Sequence, residues 1–174
     1  MNVDVHPVVL PPVLDACCGA RMMWFNKQDG RALFQDKRCE NYGMQKNGRV
    51  LEVAPDVVAD FTKMPYPDGS FDLVVFDPPH MRGTEARKGG VMGRSYGLLF
   101  DGWEDDLSAG FGECFRVLRD RGTLIFKWCE LEIPLSQILA LTDKKPLFGH
   151  RSGKSSKTHW VAFLKQNAQE QAAP

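Results

Sequence analysis

The sequence predicts an α/β fold: one domain built on a mostly parallel β-sheet, with an antiparallel hairpin at its C-terminal edge. Short apolar runs bounded by glycine or proline recur along the chain and alternate with helical or long polar segments, as in a parallel sheet covered on both faces. The last two apolar runs lie close together, as the strands of a hairpin do. The length of 174 residues suits one domain with a sizeable core.

Seven segments are predicted to be strands. The first is the apolar run 13–18, which is followed by Gly19. The others, in chain order, are 31–36, 57–61, 71–76, 123–128, 146–151 and 158–165.

Helices and loops connect these strands. The clearest helix is 103–122, where apolar residues at 107, 111, 115 and 118 share one helical face and Gly122 offers a C-terminal stop. A helix is also expected to begin in 21–28 and another in 135–143. The polar, glycine-interrupted segments 38–53 and 81–97 are predicted to be loops.

Composition excludes several classes of protein. Lys+Arg and Asp+Glu both total 22, so the net charge is zero and any nucleic-acid surface has to be local. No apolar run approaches the ~18 residues of a membrane span, and no signal peptide is predicted. The five cysteines are odd in number and form no CxxC pair, which argues against a disulfide framework and a zinc site. We therefore expect a cytoplasmic protein without a metal.

Four predicted strands end in residues that suit a ligand site. In open α/β sheets, ligands bind outside the carboxyl ends of the strands. The four ends are Asp15-Ala16-Cys17-Cys18-Gly19, Asp36, Asp60-Phe61 and Asp77-Pro78-Pro79-His80. A single acid after a strand is typical of a turn or a helix cap, and Asp-Pro-Pro alone is typical of a rigid turn. The order and spacing of all four together favour a binding site.

These residues resemble the class I S-adenosylmethionine-dependent methyltransferases, and in particular those with a D/N-P-P-aromatic motif that methylate exocyclic or amide nitrogens. The resemblance rests on "VLDACCG", Asp36, "ADF" and "DPPH", and it covers roughly residues 13–128. The first loop has one glycine where the family commonly has two or three, and His80 stands where Tyr, Phe or Trp is commoner. The resemblance implies a single Rossmann-like methyltransferase domain over 1–165, followed by a polar tail at 166–174.

The resemblance also implies roles for the strand ends, with S-adenosyl-L-methionine as the cofactor. Its amino-acid end would lie near the first loop, its ribose near Asp36, and its adenine near Asp60 and Phe61. Lys37 or Glu40 would replace Asp36 if the second strand ended later. The residues implied to contact the cofactor are Asp15, Ala16, Cys17, Gly19, Asp36, Asp60, Phe61 and Asp77.

The residues of the Asp77-Pro78-Pro79-His80 motif suit the activation of an amine for methyl transfer. An exocyclic NH2 group on a ring or carbonyl is a poor nucleophile, because its lone pair is delocalised. The Asp77 carboxylate and the Pro78 carbonyl can each accept one N–H, which favours a pyramidal nitrogen. The two prolines offer no competing N–H and hold the backbone rigid. His80 would supply a flat face for the substrate ring, or else relay the released proton.

The predicted activity is methyl transfer to an exocyclic or amide nitrogen, with adenine N6 in DNA or RNA favoured. A protein glutamine or guanine N2 remains an alternative, as does a cofactor-binding pseudoenzyme that serves as a partner subunit. Basic residues in the loop 81–97 and the hairpin 149–158 could contact phosphates, or could be solvated surface charges. With no separate recognition domain predicted, a partner subunit could present the target.

Overall fold

A seven-stranded β-sheet forms the centre of the molecule. The computed structural model describes residues 9–46, 48–153 and 155–167. The strands of the central sheet and of a small second sheet are β1 Val13–Asp15, β2 Ala32–Asp36, β3 Glu40–Met44, β4 Val50–Val53, β5 Val57–Val58, β6 Phe71–Phe76, β7 Leu118–Cys129, β8 Phe148–Arg151 and β9 Thr158–Leu164. The helices are α1 Glu85–Lys88, α2 Val91–Tyr96, α3 Trp103–Val117 and α4 Leu135–Leu139.

The strand order in the central sheet is β5-β2-β1-β6-β7-β9-β8. The first five strands of this order are parallel, whereas β9 pairs antiparallel with both β7 and β8. The predicted mostly parallel sheet with a C-terminal antiparallel hairpin is therefore confirmed. Strand order reverses between β1 and β6, and this is where a ligand crevice is expected in a sheet of this type.

The segment 38–53 is a correction to the sequence-based prediction, because it is a hairpin and not a loop. Strands β3 and β4 pair antiparallel in a sheet of their own. In β4 the side chains alternate strictly, with Leu51 and Val53 buried and their neighbours exposed. This period of two is a strand signal, but it is short and follows Gly48, whose φ of +76° belongs to the turn.

Further elements differ from prediction. The first strand and the helix predicted at 135–143 end early, at Asp15 and Leu139. Residues 21–28 form turns instead of a helix, and Arg21 there has a φ of +52° that no helix accommodates. The third predicted strand shrinks to Val57–Val58. The predicted loop 81–97 contains the two short helices α1 and α2.

Helix α3 packs an aromatic core against one face of the sheet. Phe111 lies 5.5 Å from Phe76 and 5.0 Å from Phe126, measured between ring centroids. As predicted, Leu107, Phe111 and Phe115 are buried, but the helix ends at Val117 and Leu118 already belongs to β7. Gly110 lies against the rings of Phe61 and Phe76, where a Cβ atom would come within 2.8 Å of each. The missing side chain therefore lets Phe61 sit against the core at the end of the sheet.

Among the described residues, no helix has the length and apolar character needed to cross a membrane.

Candidate active site

A cavity of about 270 Å³ lies at the carboxyl ends of β1, β2 and β6. This is the edge of the sheet where the four suggestive strand ends were expected to meet. The residues that line it and also belong to the predicted site are Ala16, Cys17, Gly19, Asp36, Phe61, Asp77, Pro78, Pro79 and His80.

Asp15 lies beneath the cavity and does not line it. Its carboxyl group is fully buried and accepts hydrogen bonds from Trp24 Nε1 at 2.7 Å and from the Cys17 backbone N–H at 3.3 Å. Burial raises the pKa of Asp15 to about 7, although the Trp24 hydrogen bond acts in the opposite direction. The structure thus gives Asp15 a direct role in shaping the loop that follows β1.

Asp36 ends β2, as predicted, and binds the first loop to the chain that follows it. Its carboxylate accepts the Gly19 backbone N–H at 2.9 Å and the Arg38 backbone N–H at 2.9 Å. The Arg38 guanidinium adds two more contacts, from Nε at 3.0 Å and from Nη2 at 3.2 Å. Gly19 has a φ of +50°, which glycine adopts more readily than other residues.

The third strand end is split between the cavity and the surface. Phe61 is buried and lines the cavity, with its ring 5.3 Å from that of Phe76. Asp60 does not line the cavity. Its carboxylate instead accepts from the Thr62 backbone N–H at 2.9 Å and lies 3.6 Å from Lys37 Nζ.

Asp77 forms an ion pair that the sequence-based reasoning missed. Lys127 Nζ donates to Asp77 Oδ2 at 2.5 Å, and both residues line the cavity. Their side chains are 23% and 16% exposed, respectively, so the pair is only partly hydrated. Burial raises the pKa of Asp77, and the adjacent ammonium of Lys127 acts against that rise.

His80 lies between two aromatic residues at the wall of the cavity. Its ring centroid is 5.8 Å from that of Tyr96 and 6.3 Å from that of Trp128. Burial lowers the pKa of His80, and the charge of Asp77 offsets part of this effect. Both the burial and the lowered pKa favour a neutral imidazole at neutral pH.

The segment 90–97, which contains α2, covers one side of the cavity. Arg38 Nη1 donates to the Arg94 carbonyl at 2.9 Å, so the guanidinium that holds Asp36 also holds this segment. Gly97 has a φ of +75°, and a Cβ atom there would come within 2.9 Å of Pro79 Cγ. The segment therefore packs directly on the Pro79 ring.

Several of the basic residues expected to contact phosphates are paired with acids. Arg87 contacts Glu132 at 2.6 Å, and Arg151 contacts Glu130 at 3.2 Å. Lys154, in the hairpin 149–158, lies outside the described residues. Contact with nucleic acid stays a prediction.

The missed residues have one visible signal in the sequence. Lys127 is a charge in the middle of the apolar strand "TLIFKWC", and a lysine in such a run needs a partner. Arg38 and Tyr96 gave no comparable signal, because both lie in segments that were predicted to be loops. Within the described part of the chain, no group of three or more His, Cys, Asp or Glu is placed to hold a metal ion.

No protein-family model and no curated protein sequence matches this chain. Solved structures of the same fold do match. The PH0226 protein of Pyrococcus horikoshii OT3 aligns with a TM-score of 0.56 at 15% identity over 88% of this chain and 81% of its own. A TehB-like S-adenosylmethionine-dependent methyltransferase from Corynebacterium glutamicum ATCC 13032 aligns with a TM-score of 0.55 at 17% identity, over 88% of this chain and 79% of its own.

A third structure of the same fold is an N-methyltransferase. It is the 1,6-didemethyltoxoflavin-N1-methyltransferase of Burkholderia thailandensis, with 1,6-didemethyltoxoflavin and S-adenosylhomocysteine bound. It aligns with a TM-score of 0.51 at 13% identity over 89% of this chain and 71% of its own. At these identities the likeness shows the fold alone. The chain has the Rossmann-like fold found in methyltransferases.

Replacing Asp15 by Asn should change how stability depends on pH. Because burial raises the pKa of Asp15 to about 7, the folded protein keeps a proton that the unfolded chain releases near 3.8, the ordinary pKa of Asp. The Asp15 contribution to stability is therefore fully present below the lower value and is lost as pH rises through the higher one. Within this window the unfolding free energy of the wild type should fall relative to Asp15→Asn by about 1.4 kcal/mol per pH unit. Urea unfolding of both proteins across pH measures this, and parallel profiles would show that the carboxyl group is not held protonated.

Replacing Arg38 by Ala should loosen the segment 90–97. The variant loses the hydrogen bond to the Arg94 carbonyl, and one such bond corresponds to about a fivefold change in an opening equilibrium. Limited trypsin digestion should cut faster after Lys88 and Arg94, as read by mass spectrometry. The matched control is Arg31→Ala, which removes an exposed arginine paired with Asp29. Equal cleavage rates in the two variants would contradict the role of Arg38.

Proposed function

We propose that this chain binds S-adenosyl-L-methionine and transfers its methyl group to an exocyclic or amide nitrogen. One observation carries the proposal. A single cavity brings together the glycine loop after β1, the acid at the end of β2, Phe61, and the Asp77-Pro78-Pro79-His80 motif. The first three suit a cofactor with a charged amino-acid end, a ribose and a flat base, and the last suits a planar amine.

The cofactor half of the cavity fits such a molecule in its chemistry. Gly19 has no side chain to keep a ligand away from the backbone of the loop. Asp36 can accept a hydrogen bond from a ribose hydroxyl that takes the place of the Arg38 guanidinium. Phe61 offers a buried ring for a heterocycle. Bound S-adenosyl-L-methionine would supply an electrophilic methyl group.

The substrate half of the cavity orients the nitrogen. Asp77 and the Pro78 carbonyl each accept one N–H of the amine, which draws the lone pair out of conjugation. Because Pro78 and Pro79 have no N–H, they add no competing donor. After transfer, the extra proton on the nitrogen leaves to water, so the reaction needs no proton relay and the His80 ring can stack on the substrate.

We favour adenine N6 in DNA or RNA as the acceptor, with the exposed basic residues of 81–97 and 149–158 as phosphate contacts. A base in a duplex would have to be flipped out to reach this cavity. A small planar heterocycle is the second candidate. The pairing of Arg87 and Arg151 with acids leaves less positive charge for a nucleic acid, and one protein of the same fold methylates the nitrogen of a small heterocycle, as its name states.

Replacing Asp77 by Ala should separate catalysis from cofactor binding. Wild type should bind S-adenosylhomocysteine. It should also transfer radiolabelled methyl groups from S-adenosyl-L-methionine to a DNA, RNA, protein or small-heterocycle pool, with the modified unit identified after digestion. The variant should keep the affinity within a few-fold but lose about 10²–10³ in transfer rate, because the carboxylate contacts the amine. The control is Asp72→Ala, which removes an exposed acid paired with Arg119. A wild type that binds no cofactor would overturn the proposed function. A variant that keeps more than half of the activity would overturn the role of Asp77.

Replacing His80 by Phe should preserve activity if the ring only stacks on the substrate. His80→Ala should then lose the ~1–3 kcal/mol typical of base–aromatic stacking. If His80 instead relays a proton, Phe should be as damaging as Ala, and the wild-type rate should rise with pH as the imidazole loses its proton. Transfer rates of both variants across pH distinguish the two roles, and an inactive Phe variant with intact cofactor binding excludes stacking.

A further inference from the structure

Lys127 occupies an unusual position for a lysine. It lies near the carboxyl end of β7 between Phe126 and Trp128, both of which are fully buried. In the sheet register it pairs with Trp160 of β9, and the preceding pair, Phe76 with Phe126, places it beside Asp77 at the end of β6. The strand thus carries a cation to the point where the proposed substrate nitrogen would lie.

The contacts of Lys127 fix its ammonium group. Nζ is 2.5 Å from Asp77 Oδ2 and lies 5.7 Å from the centre of the Trp160 ring, in a cation–π arrangement. Its side chain is 23% exposed and lines the cavity. A lysine held in this way differs from the flexible, solvated lysines of a protein surface.

The Asp77–Lys127 pair keeps hydrogen-bonding capacity for a ligand. An ammonium group has three donors, and Asp77 takes one of them. Asp77 Oδ1 accepts no hydrogen bond from the part of the chain that the structure describes. An acceptor and a donor therefore stand side by side at the cavity, as they do in the Asn or Gln amide that contacts two neighbouring atoms of adenine.

We infer that Asp77 and Lys127 together recognise the N6 and N1 edge of adenine, with Lys127 as a specificity-determining residue. This inference rests on the proposed function and names its substrate edge. One N6 hydrogen is donated to Asp77, and Lys127 donates a hydrogen bond to N1, which has a free lone pair. No proton is transferred in this contact, so Lys127 keeps its three N–H donors.

The same pair disfavours guanine presented by its N2 and N1 edge. Guanine N1 carries a hydrogen, so it would meet the ammonium of Lys127 donor to donor. A buried donor without an acceptor is costly. The contact to N1 therefore discriminates between purines in a way that Asp77 and Pro78, which contact only the amine, cannot.

Wild-type enzyme and modified bases give the most direct test. Single-stranded DNA and RNA oligonucleotides would each contain one adenine, one 1-deazaadenine or one 3-deazaadenine as the only purine with an amino group. Replacing N1 by C–H should lower kcat/KM by about 10- to 100-fold, the value of one hydrogen bond from a charged donor. The 3-deaza base, which lacks a nitrogen away from this edge, is the control and should react at nearly the rate of adenine.

Variants at Lys127 separate recognition from mere support of Asp77. In Lys127→Met the adenine rate should fall, and the preference for adenine over 1-deazaadenine should shrink to within about threefold of unity. Lys127→Arg keeps a cationic donor and should retain most of the preference. The control is Lys144→Met, which removes an exposed lysine paired with Asp143 and should change neither number.

The outcomes distinguish this inference from the function on which it rests. Equal wild-type rates on adenine and 1-deazaadenine would overturn the role of Lys127 while leaving methyl transfer intact. A preference that survives unchanged in Lys127→Met would do the same, because Lys127 would then only position Asp77. Cofactor-dependent transfer to another acceptor, with none to adenine, would overturn the inference but not methyl transfer. Absence of any transfer or cofactor binding would overturn both.

Discussion

Three carboxyl groups at neighbouring strand ends constrain this molecule more than any other feature. Asp15 and Asp36 are buried, and Asp77 is mostly so, all at the edge where β1, β2 and β6 end. Burying neighbouring carboxylates away from water costs free energy unless each is protonated or has its own hydrogen-bond or ion-pair partner. The structure meets this constraint in a different way at each position. Trp24 donates to Asp15, Arg38 pairs with Asp36, and Lys127 pairs with Asp77.

The partners of these acids explain features of the fold that the sheet alone does not require. Trp24 belongs to the turns 21–28, which fold back over the first strand end in place of a helix. Arg38 contacts both Asp36 and the Arg94 carbonyl. It therefore joins the start of the segment 38–53 to the segment 90–97, which covers one side of the cavity. Lys127 interrupts an apolar strand. The cost of placing a charge there is offset by Asp77 on one side and the Trp160 ring on the other.

The acids could be predicted from the sequence, but their partners could not. Apolar runs and strand-end acids are local patterns, so the parallel sheet and the positions of Asp36, Phe61 and Asp77 were predictable. Their partners were not. Lys127 reaches Asp77 only when β7 pairs with β6, and Arg38, although it lies two residues from Asp36, belongs to a segment that was predicted to be a loop. The hairpin of β3 and β4 was missed for a related reason. Its alternating pattern is only a few residues long and is interrupted by glycines, so the burial that stabilises it depends on the rest of the domain.

The hydrogen bonds of Asp36 have a consequence for the proposed function. A carboxylate offers about four lone-pair sites, and in this structure Asp36 accepts four hydrogen bonds, from Gly19 and Arg38. A ribose hydroxyl that donates to Asp36 must therefore share or displace one of them. The guanidinium of Arg38 is the partner that can turn away, whereas the backbone N–H groups are fixed. The same guanidinium donates to the Arg94 carbonyl in the segment 90–97. If Arg38 turned away to admit a ribose at Asp36, the segment would therefore lose this hydrogen bond as well. Asp36, which would bind the cofactor, thus also positions Arg38, whose hydrogen bond holds the segment 90–97 over the cavity.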